Sequence, residues 1–141
     1  MAAMAASASA TVLARSDLGG WNVSYVQSGG ADRTHSEHVY GVYANAELKD
    51  NIEVDCLSQT VSDGKVFSGN DPTTLTCTPA SFSYEYNITD STLTLTQTVE
   101  LSGTNVTVMG TSKPFTTVLD PVRGKGGSAH NITFQATTGV A

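Results

Sequence analysis

"STLTLTQTVE" (residues 91–100) decides the class of fold. Leu93, Leu95, Val99 and, one step further, Leu101 fall on one side of an extended chain, and Thr92, Thr94, Thr96 and Thr98 on the other. Successive side chains of a strand point to opposite faces, so this period of two describes a strand with one buried face. Threonine suits the opposite face, because a β-branched side chain favours extended backbone without adding charge.

The same grammar runs outward from this segment in both directions. From Trp21 onward, short alternating runs are separated by turn signals: "WNVSYVQ" ends at "SGGAD", "SEHVYGVYANAEL" at "KDN", and "NIEVDCLSQTV" at "SDGK". "TTLTCT" and "SFSYEYNI" flank Pro79, "SG" separates "STLTLTQTVEL" from "TNVTVMGT", and "PFTTVLD" leads through "PVRGKGG" to "SAHNITFQAT". Roughly seven to ten strands at this spacing predict an all-β, antiparallel barrel or sandwich with little helix. The expected inward residues are Trp21, Val23 and Tyr25; Ile52, Val54 and Cys56; Phe82, Tyr84, Tyr86 and Ile88; Val106 and Val108; and Ile132 and Phe134. Flat, weakly charged outer faces invite association, so the edges call for barrel closure, a glycan or a homodimer.

Composition narrows the function. The 141 residues fit one domain, which we place at 17–141. Only 14% of residues are charged and the net charge is −6, so the chain lacks the clustered cations that nucleic-acid binding needs. No run of about 20 apolar residues is present, and no membrane span is expected. Residues 1–16, "MAAMAASASATVLARS", are alanine-rich and end near a small-residue cleavage pattern, but lack a basic start. They read as the remnant of a secretion signal or of a vector tag, disordered and outside the fold.

Cys56 and Cys77 are the only cysteines and lie on separate predicted strands. An intramolecular disulfide is the expected state, and two buried free thiols the alternative. Asn22, Asn87, Asn105 and Asn131 each begin an N-x-Ser/Thr acceptor sequence, more of them than a chain rich in Ser and Thr gives by chance. The middle residue is Val or Ile each time, so the Asn should face outward beside an inward neighbour. Together these features point to a secreted, extracellular protein.

Marks of catalysis are sparse. His35 and His38 in "HSEH" stand on opposite faces of a strand and make a poor metal pair, and His130 has no acid or nucleophile near it in sequence. No "GxSxG" elbow, calcium ladder or phosphate loop is present. Glycoside hydrolysis would need two of the many carboxylates across one cleft, which spacing does not reveal. We therefore expect no catalytic residue, metal or cofactor. Tyr40 and Tyr43 in "HVYGVYA" fall on opposite faces, so one should be exposed, where it could stack on a sugar ring or dock into a partner.

The order "WNVSYVQ", "VYGVYANAEL", "NIEVDC", "TC", "SFSYEYN" and "LTLTQTVE" resembles small secreted fungal proteins, the elicitors and effectors grouped around the Alternaria major allergen. That resemblance implies a compact β-barrel or sandwich exported to the plant apoplast. There its folded surface would be recognised by a plant cell-surface or apoplastic component, triggering reactive oxygen, defence genes and local cell death. It maps no catalytic residue, and Cys56 and Cys77 match as the disulfide tying the middle strands. Relatives of the allergen carry more cysteines, including one used in dimerisation, so the pair found here does not imply a covalent dimer.

Overall fold

The structure is a computed structural model, which describes residues 17–29, 34–61, 73–119 and 126–141. The leader reading of 1–16 therefore lies outside the described residues, as do most of "SGGAD", "SDGK" and "PVRGKGG". The described residues form ten strands: β1 (Gly20–Gly29), β2 (Thr34–Ala44), β3 (Ile52–Val61), β4 (Thr73–Thr78), β5 (Ser83–Asn87), β6 (Thr92–Leu101), β7 (Thr104–Thr111), β8 (Val118–Leu119), β9 (Gly127–Gln135) and β10 (Thr138–Val140). They form a six-stranded sheet, β4-β3-β2-β1-β9-β8, and a four-stranded sheet, β10-β7-β6-β5. Every pairing is antiparallel. The all-β expectation holds, and the ladders form two separate sheets that do not close on one another, an arrangement like a sandwich. No helix among the described residues is long and apolar enough to cross a membrane.

The opening segment is β6, inside the smaller sheet. Its burial alternates residue by residue, with Leu93, Leu95, Gln97, Val99 and Leu101 inward. The outward threonines bond across the ladder: Thr94 to Thr111 and Thr98 to Thr107, each at 2.8 Å between hydroxyl oxygens. Such cross-strand pairs are one source of sheet stability, so these hydroxyls satisfy one another on the surface. A two-residue turn joins β6 to β7. Ser102 and Gly103 both take positive φ, 52° and 79°, the primed geometry whose twist matches the strands it joins.

Between the sheets lies one core. The six-stranded sheet contributes Trp21, Val23 and Tyr25 from β1, Val39 and Tyr43 from β2, Val54 and Cys56 from β3, and Ile132 and Phe134 from β9. Each large apolar side chain buried this way stabilises by roughly 1.5–3 kcal/mol before entropy is subtracted. Trp21 is central. Its ring packs 5.5 Å from both Tyr43 and Phe134, and its Nε1–H donates across the core to Gln97 Oε1 at 3.0 Å. Tyr43 donates to the Leu18 carbonyl at 2.6 Å and so fixes the start of the described chain.

One inward assignment is corrected. Ile88 does not continue the Phe82, Tyr84 and Tyr86 face but is 77% exposed. β5 ends at Asn87, and the chain turns through 88–91, with Asn87 Oδ1 accepting from the Asp90 amide at 3.1 Å. Once the backbone leaves the strand, parity no longer sets direction. Ile52, Tyr84 and Tyr86 are half-buried against the core, and the other named residues are buried.

Cys56 and Cys77 stand directly opposite one another on β3 and β4, with Cα atoms 4.1 Å apart, and are joined as a disulfide. Free thiols are thereby excluded. Such a bond is compatible with an extracellular protein, since reducing compartments seldom retain one.

Candidate functional site

The larger sheet turns one face to the core and the other to solvent. On the solvent side, cross-strand neighbours form rows about 6.6 Å apart, two residues along the strand. One row runs Glu53, Val42, Asn22, Thr133, and the next runs Asp55, Tyr40, Ser24. A third carries Leu57, His38, Val26 and Ser128. Tyr40 is the exposed tyrosine, at 36%, while Tyr43 is fully buried, so the two do divide between the faces.

Tyr40 is held by its neighbours. The His38 ring lies 4.6 Å from it, and His38 Nε2 is 2.9 Å from Asp55 Oδ2, where the imidazole donates to the carboxylate. The backbone beside it is tightly packed. A Cβ on Gly41 would sit 2.1 Å from the Asn22 carbonyl oxygen, so only glycine lets β2 approach β1 this closely.

On the far side of Ser24, β9 carries a bulge. Val23 pairs with Ile132 and Tyr25 with Ala129, so His130 and Asn131 together face one residue of β1. Asn131 takes φ +56°, as asparagine tolerates, and His130 Nδ1 comes 2.9 Å from Ser24 Oγ. The parts of a serine triad are therefore split: the serine contacts His130, whereas the carboxylate contacts His38. No group of three or more His, Cys, Asp or Glu side chains that could hold a metal occurs among the described residues. His35 stands at the opposite strand parity from His38, as their spacing predicts, and its side chain is 41% exposed.

A second polar group lies at the end of the core. Tyr84 donates to Glu37 Oε1 at 2.7 Å, His35 Nε2 lies 3.7 Å from Glu37 Oε2, and Gln27 donates to the Tyr25 hydroxyl at 2.8 Å. Burial pushes both phenols well above their ordinary value of 10.0; for Tyr84 the Glu37 carboxylate adds to it, because that bond favours the neutral phenol. The unfolded chain then releases these protons first. Stability from the two tyrosines is intact below pH 10.0 and falls as pH rises above it. Phenolate absorbance in an alkaline titration should thus rise in two phases, the later one coinciding with loss of near-ultraviolet dichroism. A single phase near the ordinary value with the fold intact would contradict this environment.

The four acceptor asparagines are all exposed. Asn22 lies mid-sheet on the solvent face of β1, Asn105 near the start of β7, Asn131 in the bulge, and Asn87 at the turn after β5. Val23, Val106 and Ile132 point inward beside them, whereas Ile88 does not. Compared with protein-family models, characterised proteins and solved structures, the chain has no significant match.

Nothing along the sequence marks the bond of His38 to Asp55 or that of His130 to Ser24. Both partners become neighbours only through strand pairing, for which spacing along the chain gives no signal.

Proposed function

We propose that this protein is a secreted fungal elicitor, recognised through its folded surface by a plant cell-surface or apoplastic component, with no substrate turned over. The observation that carries this reading is the solvent face of the larger sheet, where His38 and Asp55 hold Tyr40 in a fixed, exposed position. A fixed aromatic group loses little conformational freedom on binding, which favours recognition over chemistry. The disulfide supports export, and the order of strand motifs supports the elicitor class. A carbohydrate- or cell-wall-binding module is the second reading, favoured by the many uncharged amides around the same face.

Leaf infiltration of purified protein tests the first reading, scored by oxidative burst and local cell death. The expected response requires the folded form and is absent with heat-denatured, reduced protein. Tyr40→Ala, His38→Ala and Asp55→Ala combined should abolish it while near-ultraviolet dichroism is retained. A response unaffected by denaturation, or none in several plant species, would sink the elicitor reading.

A further inference from the structure

Two hollows on the solvent face of the larger sheet adjoin, and a third lies next to them at the β9 edge, between β9 and residues 113–118. One, of about 410 Å³, is lined by Tyr40, Glu53 and Asp55 and reaches Val42. The next, of about 460 Å³, shares Val42 and is lined by Asn51 beside β2, Asn22 on β1, and Thr133 and Gln135 on β9. The third, of about 610 Å³, runs from Thr133 past Asn131 to Phe115 and Lys113. Val42 and Thr133 are the shared walls, and both belong to the row Glu53, Val42, Asn22, Thr133. The trough therefore crosses β3, β2, β1 and β9 at right angles to the strands. With strands about 4.8 Å apart, it extends for roughly 15–20 Å.

Its polar groups are available. Asn22, Asn51 and Gln135 are exposed, and their amides make no bond to any other described side chain or backbone group. An amide presents a donor and an acceptor together, and so does each hydroxyl of a sugar. Glu53 and Asp55 add acceptors at one end, beside the Tyr40 ring, and the whole chain carries a net charge of −6. An anionic ligand would be repelled from that end, and a purely apolar one would leave the amides unused. From this geometry we infer that the trough binds a neutral, linear oligosaccharide, with one sugar against Tyr40 and the chain passing over Val42 toward Asn131. The inference rests on the reading of this face as the recognition surface, and it names the chemistry of the partner.

The test is titration of isotope-labelled protein with neutral hexasaccharides (cellohexaose, laminarihexaose and chitohexaose), with an oligogalacturonate as the anionic control. Bacterially made protein carries no glycan on Asn22, so the trough is open. At least one neutral hexasaccharide should shift the amide signals of β1, β2 and β3 and leave those of β6 and β7 unmoved. Tyr40→Ala and Asn51→Ala, both at exposed positions, should each weaken binding about tenfold, whereas Thr96→Ala on the other sheet should not. Absence of binding by all three, equal binding of the oligogalacturonate, or shifts confined to the smaller sheet would overturn the inference. The leaf assay is read separately. A leaf response without saccharide binding would remove this ligand and leave the elicitor reading, and binding without a leaf response would do the reverse.

Discussion

Trp21→Ala is expected to destabilise the protein by about 3–5 kcal/mol, the usual cost of truncating a large buried aromatic. For a chain of this length that corresponds to a fall of about 15 °C in melting temperature. Burial of the ring is nearly complete, at 2% exposure, and its neighbours Tyr43 and Phe134 belong to strands on either side of β1. Those strands are fixed by their own ladders and cannot collapse into the space. The indole also bridges the sheets, since Gln97 sits on the smaller one. Gln97 is fully buried, and its Nε2 has no hydrogen-bond partner among the described residues, so removal of Trp21 leaves both ends of the amide unpaired. Gln97→Leu should cost less, about 1–3 kcal/mol, by stranding the indole N–H. Combined with Trp21→Phe it should cost less than the two single changes added together, because both polar groups are then gone. Denaturant unfolding of the four proteins measures this directly. Simple additivity would show that the bond between the sheets is not worth making.

Gln97 also shows what the sequence could convey. Parity puts it on the same face as Leu93, Leu95, Val99 and Leu101, and the structure agrees. Its role depends on meeting Trp21, 76 residues earlier in the chain, which periodicity cannot indicate. Strand positions were legible for a related reason. β4 and β7 coincide with "TTLTCT" and "TNVTVMGT", because alternation and turn residues are local signals. β10 escapes the pattern, which ends with "SAHNITFQAT" at Thr137, because three residues are too few to show alternation. Ile88 failed where the strand gave way to a turn. The candidate site was legible in part: Tyr40 beside Gly41 stood out from its residue types and the parity of its strand. The remaining groups, Asp55 on His38, His130 on Ser24 and the amides of Asn51 and Gln135 along one trough, depend on register and on a bulge. Both are set by long-range pairing.

Replacing Cys56 and Cys77 together by alanine should cost about 3 kcal/mol in the chain-entropy account, for a bond spanning 21 positions in sequence. The melting temperature should fall by about 10 °C. The location of the bond says where the loss is felt. Among the described residues β4 is an edge strand that pairs only with β3, and five of its six residues are exposed, Leu75 at 54%. Its apolar burial is small, so little besides the ladder and the disulfide holds it in place. Without the bond, β4 should open locally before the rest of the fold. Hydrogen exchange separates this from uniform weakening: amides of Thr73–Thr78 should lose protection first, while the β6–β7 hairpin keeps its own up to global unfolding. Equal loss in both places would mean that the disulfide acts on the unfolded chain alone. A melting point unchanged within about 2 °C would mean that the ladder holds β4 without it. Local opening has a further consequence. It uncovers the edge of β3, whose unpaired backbone groups can then capture another chain, so the reduced protein should self-associate under conditions where the oxidised one does not. Oxidising surroundings, which preserve the disulfide, therefore keep this edge covered.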